Sequence, residues 1–289
     1  MADTLRAATY LDKGGTGKTT CTAHIGVALH ELGEEVLLLD LAGKQGDLAK
    51  VFGRYQDVQE DIAAEDDYPN IATTMQDRWP EIADMLGPEK AVNQLVYETA
   101  EGPDLIPAHP DLDSLNADLG NVDDVGERYT RLRGFLNDYI EPLDYSVVLL
   151  DLPGKGDNVA YNGLWATQRV WAPVKMGPFE LDQAKQLRDE LVMISDPDSY
   201  SEPMDLVMLL PNLYDRRTNL DENRLADFRA EFNGLIADNW IVKSQGIENA
   251  TDVGQTLFAV PEDELSATAR DAKNSFLTVA DELRSQLQT

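Results

Sequence analysis

At 289 residues the chain is long enough for one large α/β domain, or two small ones, around a fully buried sheet. It carries 53 acidic against 24 basic residues, a net charge of −29, which argues against a partner held by sheer positive charge, whether nucleic acid or anionic membrane. No apolar run approaches the ~18–20 residues of a membrane span, no repeat has a solenoid period and nothing has the composition of a linker, so the expectation is a single domain over 1–289. The N-terminus lacks a basic-then-apolar leader and the single cysteine, Cys21, cannot form an internal disulfide, so the expected compartment is the cytoplasm, with no membrane partner.

In chain order, "LRAATYL" (5–11) reads as the first strand and runs into "DKGGTGKTT", after which Thr19–Leu32 has helical apolar spacing. "EVLLLD" (35–40) is the second strand. The stretch 52–102 is the least orderly, with the acidic patch "EDDYP", and reads as one or two helices after that strand rather than a separate domain. Strand candidates continue with "DLIPA" (104–108), "YSVVLLD" (145–151), "RVWAPV" (169–174), "DLVMLLP" (205–211) and "WIV" (240–242), alternating with helical segments at Asn158–Ala166, Leu181–Ser195 and Glu222–Phe232. Strands apolar on both faces, separated by amphipathic helices, predict a doubly wound α/β fold with a mostly parallel sheet. Over 262–288, Leu265, Ala269, Ala272, Phe276, Val279, Leu283 and Leu287 recur at spacings of three and four, which predicts a C-terminal helix packed on the core. A membrane-surface helix would carry lysine and arginine on its polar face, whereas this one has more acids than bases.

The acids are spread along the whole chain rather than gathered in a tail, the pattern of a solvated surface of the halophile kind. In molar salt their mutual repulsion is screened within ~3 Å. Lysines are few, ten in all, yet Lys13, Lys18, Lys44 and Lys155 sit in short glycine-rich turns at or after strand ends, where a polyphosphate needs countercharge.

"GGTGKTT" follows a strand and opens a helix, the context that a phosphate-binding loop requires. Backbone N–H groups from Gly14 through Gly15, Thr16 and Gly17 to Lys18 can wrap a β-phosphate at the positive end of the helix, with Thr20 completing the loop. Lys18 then reaches the β/γ oxygens and Thr19 supplies a hydroxyl for Mg²⁺. Asp40 and Asp151 each end an apolar strand, where a carboxylate can hold the waters of that ion. Cys21, at the start of the helix, reads as a small buried side chain rather than a nucleophile.

"KGGTGKTT" resembles the deviant Walker A motif of the ParA/MinD family of P-loop ATPases. "VLLLDLAGKQGDLAKVFG", "DLIPAHPDL", "YSVVLLDLPGKGDNVAYNGL" and "LLPNLYDRRTNL" are similar to ParA-type segments, in the family's order, so the resemblance covers nearly the whole chain and is weakest over Gln56–Glu101. It is closer to ParA than to MinD, because "DRRTNL" is ParA-like and MinD's basic C-terminal membrane helix has no counterpart. The resemblance implies a P-loop NTPase-like fold, ATP and Mg²⁺ as cofactors, and an ATP-dependent homodimer. In that dimer Lys13 would act in trans on the partner's phosphates while Lys18 acts in cis. It also makes Asp151 the Walker B aspartate and Asp40 the first acid of switch I. No residue is marked by the sequence as the adenine reader; Asn212, next to the "DRRTNL" turn, is the candidate contact for the base.

Two departures stand out. The family's switch I reads Asp-x-Asp-Pro-Gln-Gly-Asn, whereas this chain reads "DLAGKQGD", with Ala42 or Gly43 where the second aspartate belongs; Asp47 is the only carboxylate in the stretch that could replace it, and Lys44 could stabilise γ-phosphate charge instead. After Asp151, "DLPGKGD" puts Gly154 in the usual Pro-Pro turn and adds Lys155. Slow hydrolysis that depends on an activating partner is expected. The leading reading is an ATPase that positions DNA or another cargo, with Arg216, Arg217 and Arg224 as candidate contacts for non-specific DNA. A nucleotide-gated protein scaffold that touches neither DNA nor membrane is the alternative, because Asp221, Glu222 and Asp227 lie among those arginines. A second basic group, Arg128, Arg131 and Arg133, is equally ambiguous. A metabolic P-loop phosphotransferase is a third, weaker reading.

Overall fold

The computed structural model describes residues 4–43, 46–64, 68–195, 203–215 and 219–289. In chain order they form β1 (Leu5–Thr9), α1 (Lys18–Glu31), β2 (Val36–Asp40), α2 (Asp47–Val51), α3 (Tyr55–Ala63), α4 (Trp79–Leu86), α5 (Pro88–Asn93), β3 (Tyr97–Glu98), β4 (Asp104–Ile106), α6 (Asp111–Leu119), α7 (Val125–Tyr129) and α8 (Arg131–Phe135). They continue with β5 (Val147–Asp151), α9 (Asn158–Thr167), β6 (Arg169–Val174), α10 (Pro178–Ile194), β7 (Asp205–Pro211), α11 (Asn219–Glu231), α12 (Gln245–Asp252) and α13 (Ala267–Leu287).

The seven strands form one sheet in the order β3-β4-β2-β5-β1-β6-β7, parallel throughout except for the edge strand β3, which runs antiparallel to β4. This is the doubly wound α/β fold that the apolar runs predict. Every residue of β2 and of β5 is buried. Because successive strand side chains point to opposite faces, Leu37, Leu39, Val148 and Leu150 enter the core beneath α6, α8, α9 and α10, while Val36, Leu38, Val147 and Leu149 enter the core beneath α1 and α13. Among the described residues, no helix is long and apolar enough to cross a membrane.

Three local readings are corrected. "WIV" forms no strand; Val242 makes only an isolated bridge to Tyr214, and Trp240 packs its ring on Tyr214 at 4.8 Å. β3 carries no sequence signal because it is two residues long. The described residues of 52–102 make three α-helices and a 3₁₀ turn (Thr73–Met75), more than the one or two helices expected. Proline divides it, since Pro80 and Pro88 both sit in the first turns of their helices, where the missing N–H costs nothing. The C-terminal helix begins at Ala267 rather than 262, because the Ser266 side chain accepts from the Ala269 N–H and fixes the start. Its predicted apolar face is buried throughout.

α12 reaches the α2–α3 corner through two glycines. Gly254 has φ +73°, and a Cβ there would lie 2.7 Å from Gly53 Cα, a backbone atom that cannot yield. Gly254→Ala is therefore expected to combine left-handed strain with overpacking, destabilising by about 1–3 kcal/mol. Thermal unfolding should show a lowered Tm, with the variant otherwise native below the transition.

Candidate phosphate and cation site

β1, β5 and β2 lie side by side and end at the same edge. Thr9 is in register with Asp151, and Asp151 with Asp40, so the first strand delivers its loop beside two carboxylates. Ligands in open α/β sheets gather at this carboxyl edge.

The loop after β1 turns on two left-handed glycines, Gly15 (φ +73°) and Gly17 (φ +90°), the latter capping α1. Gly17 is also irreplaceable on packing grounds, since a Cβ would meet Asn212 Nδ2 at 2.4 Å. Asn212, at the end of β7, is buried and donates through that nitrogen to the Thr16 carbonyl at 2.8 Å. The residue suggested for the base thus holds the loop from behind. α1 is held at a second point by His24, whose ring bonds the Thr20 carbonyl at 2.8 Å and accepts from Leu257 N–H at 3.2 Å. Burial lowers the pKa of His24 to about 4, which keeps the ring neutral so that one nitrogen donates while the other accepts. Cys21 is buried and its thiol is pushed up, first by burial and then by Asp151, so it has the inert packing role expected.

Lys18 lines a cleft of about 500 Å³ together with Gly14, Gly15, Gly17, Thr19 and Thr20; Ala42, Asp47, Gly154 and Lys155 also line it. Its ammonium bonds main-chain oxygens, Lys13 O at 2.8 Å and Leu11 O at 3.1 Å, and burial lowers its pKa. Gly154 packs closely on the loop: a Cβ there would lie 3.1 Å from the Lys13 carbonyl oxygen, a backbone atom, and 2.9 Å from Lys18 Nζ. Lys13 turns the other way. Its ammonium pairs with Glu180 Oε1 at 2.9 Å, in the first turn of α10.

The two carboxylates are fully buried and unequally satisfied. Asp40 accepts from Ala42 N–H at 2.9 Å and Leu48 N–H at 3.3 Å, thereby tying both ends of the 41–48 loop to β2. Asp151 accepts a hydrogen bond from the Thr19 hydroxyl at 2.5 Å, and its Oδ1 is buried without a partner. Both pKa values are raised, chiefly by burial, and that of Asp151 further by Asp40 beside it. An orphaned carboxylate oxygen, a second carboxylate and a hydroxyl, all hard oxygen donors, fit a Mg²⁺ ion. Thr19, Asp40 and Asp151 would hold it.

Of the other candidates, Asp47 lies on the cleft wall paired to Lys50 at 2.9 Å, and Lys155 is paired to Asp157 at 3.0 Å. Arg224 lies on α11, paired to Asp227 at 3.2 Å, far along the chain from the cleft residues. Lys44, Arg216 and Arg217 lie outside the described residues. Glu180 was not legible in the sequence, since nothing in a glutamate 167 residues from Lys13 marks it as that lysine's partner.

A family model for an AAA domain matches residues 7–199, from β1 through α10. The chain belongs to the ParA/MinD family of P-loop ATPases. It is similar over most of its length to the chromosome partitioning protein ParA of Caulobacter vibrioides, with 28% identity across 84% of this chain and 82% of that one. In fold it resembles cobyrinic acid a,c-diamide synthase of Mycobacterium smegmatis, solved with an ATP analogue and magnesium (TM-score 0.72, 24% identity, 99% and 96% of the two chains). The fold likewise matches that of a McdA variant of Cyanothece solved as its ATP complex (TM-score 0.74, 17% identity, 98% of each chain).

The raised carboxylates set a pH dependence. A folded-state acid whose pKa lies above its unfolded value binds protons more tightly when folded, so its contribution is complete below the ordinary carboxylate range and is lost as pH rises through the raised value. Asp151→Asn removes that buried charge and keeps an acceptor for Thr19. The metal-free variant is expected to gain several degrees in Tm over wild type at pH 8 and to show a smaller difference at pH 5. Scanning calorimetry in buffers containing chelator measures both.

Proposed function

We propose that this protein is a ParA-type ATPase that positions or partitions a cargo by cycling between a monomer and an ATP-bound, face-to-face homodimer. The observation that carries the proposal is the division of the two loop lysines: Lys18 lines its own cleft, whereas Lys13 leaves it for the rim, where Phe179 is 75% exposed beside its partner Glu180. A cation on the rim serves a phosphate only when a second subunit closes over the site and excludes water. ATP would be held by the N–H groups of Gly14 to Lys18 and by Lys18 itself, with Thr20 beside them and Asn212 bracing the loop. Thr19, Asp40 and Asp151 would hold Mg²⁺, which would supply positive charge to offset that of the phosphates. Relatives named for chromosome partitioning support the cargo-positioning role.

Hydrolysis is slow in this reading. Ala42 or Gly43 stands in place of the water-orienting carboxylate that the resemblance implies, Ala42 lines the cleft, and Asp47, the candidate substitute, is paired to Lys50. An activating partner protein would complete the site. DNA is one cargo; the paired cations of α10 and α11 favour a second reading, a nucleotide-gated scaffold for a protein partner. Lys185 and Arg188 both bond Glu231, and Arg224 bonds Asp227, so these charges are already neutralised.

Lys18→Ala is expected to abolish ATP binding measured by calorimetry with Mg²⁺. Lys13→Ala should bind ATP normally yet stay monomeric in sedimentation velocity; an ATP-dependent dimer of Lys13→Ala would refute the trans role. DNA affinity measured by gel shift is expected to be weak, to require ATP and to fall with salt as phosphate contacts lose their counterion gain. If wild type shows no ATP-dependent shift, the scaffold reading replaces the DNA one; if it does and the Arg216→Ala, Arg217→Ala, Arg224→Ala triple variant binds as well, these arginines are not the DNA contacts.

A separate test addresses the missing aspartate. Loss of a positioning or general-base group typically costs ~10²–10⁴-fold in rate. In single-turnover hydrolysis, Ala42→Asp should speed the reaction and Asp47→Ala should leave it unchanged, both at unaltered ATP affinity. A collapse in Asp47→Ala would instead mean that the loop has relocated its carboxylate.

A further inference from the structure

The ion pair between Lys13 and Glu180 joins two parts of the chain that the phosphate site does not otherwise need to connect. Glu180 lies at the third position of α10, after Pro178, and its side chain is 16% exposed against 30% for Lys13. The carboxylate has more than one support. Its pKa is lowered first by the bond to Lys13 and also by its own backbone N–H, and the positive end of α10 favours a negative charge there. Glu180 can therefore lose Lys13 without being stranded as an uncompensated buried charge. The pair is also partly exposed, the regime in which an ion pair contributes little and exchanges readily.

α10 is anchored independently. Farther along it, Glu190 accepts from Tyr161 at 3.2 Å and Tyr10 at 3.4 Å, so the helix is tied to the end of β1 and to α9 whether or not Lys13 is engaged. The bond at the N-terminal end is thus separable from the docking of the helix. An ammonium held against its own α10 cannot at the same time extend over the phosphates of a facing subunit.

We propose that Glu180 is a positioning residue that parks Lys13 in cis in the monomer, so that dimer closure is an exchange of Lys13 from its own Glu180 to the partner's bound nucleotide. This rests on the trans role of Lys13 proposed above. The exchange goes forward because a polyphosphate in a water-excluded interface attracts the ammonium more strongly than a partly hydrated carboxylate. Glu180 makes closure conditional on nucleotide: with nothing in the partner's site that attracts it more strongly, Lys13 stays where it is.

The test uses full-length wild type, Glu180→Gln, Lys13→Ala and the double variant. ATP binding to the monomer should be the same in wild type and Glu180→Gln. At saturating ATP, Glu180→Gln is expected to tighten the dimer by about two- to fivefold in Kd by sedimentation, the scale of a partly exposed ion pair. The gain should shrink as salt is raised, and the double variant should stay monomeric like Lys13→Ala, because without the Lys13 ammonium there is nothing for Glu180→Gln to release. In the nucleotide-free monomer, acylation of Lys13 by a soluble ester, read by peptide mass spectrometry, should be faster in Glu180→Gln, a change that a merely structural role for Glu180 would not produce. A dimer of Glu180→Gln equal to or weaker than wild type, or unchanged acylation, overturns the proposal while leaving the trans role intact if Lys13→Ala is monomeric. Dimerisation of Lys13→Ala with ATP sinks the trans role and this inference with it.

Discussion

Asp40 and Asp151 occupy matching positions on adjacent parallel strands, at the end of a sheet whose strands are apolar on both faces. Two carboxylates desolvated side by side cannot both ionise cheaply, and apolar strands offer no solvent to relieve them. The fold relieves them unequally. Asp40 is supported by two backbone N–H groups, whereas Asp151 has one hydroxyl and a bare Oδ1. That asymmetry directs the unmet demand for positive charge to one point beside Thr19, and the strand order that puts β1 next to β5 brings the phosphate loop to the same point.

The loop in turn needs a rigid platform, because backbone N–H groups select phosphate only while their directions are fixed. Asn212 holds Thr16 from the end of β7, and His24 fastens α1 to the segment before α13. These contacts span 196 and 233 residues of sequence. The far C-terminal third of the chain therefore serves the N-terminal motif, and α13 matters to the site through the α1 surface it covers, where Phe276 stacks on His24 at 4.6 Å.

The motif, the parallel sheet and the two strand-end aspartates were legible in the sequence because each rests on local rules: glycines at left-handed positions, apolar runs, and a carboxylate at the end of a run. The apolar spacing from Leu265 to Leu287 gave the buried face of α13 for the same reason. What escaped notice depends on tertiary contact. Tyr97–Glu98 is a strand only because β4 lies beside it, and "WIV" fails to be one because β7 has already ended at Pro211. His24 reads as one more polar residue in an amphipathic helix until Leu257 supplies its second partner. Glu180 has no local signal at all, since its meaning comes entirely from Lys13.

The scarcity of cations gives these pairings a common logic. In a chain with 53 acids and 24 bases, three of the lysines near the cleft have their own carboxylate: Lys13 with Glu180, Lys50 with Asp47, Lys155 with Asp157. A phosphate arriving at the rim must compete with those carboxylates, so only the difference between the two partners contributes to binding. Salt weakens both, but not equally. Partly exposed pairs on the rim are screened over a few ångströms, whereas contacts in a closed, dry interface are screened much less. For the proposed dimer, rising salt therefore frees the rim lysines more than it weakens their final contacts, and an acid-rich surface that would be a burden in dilute buffer becomes a condition that favours such closure.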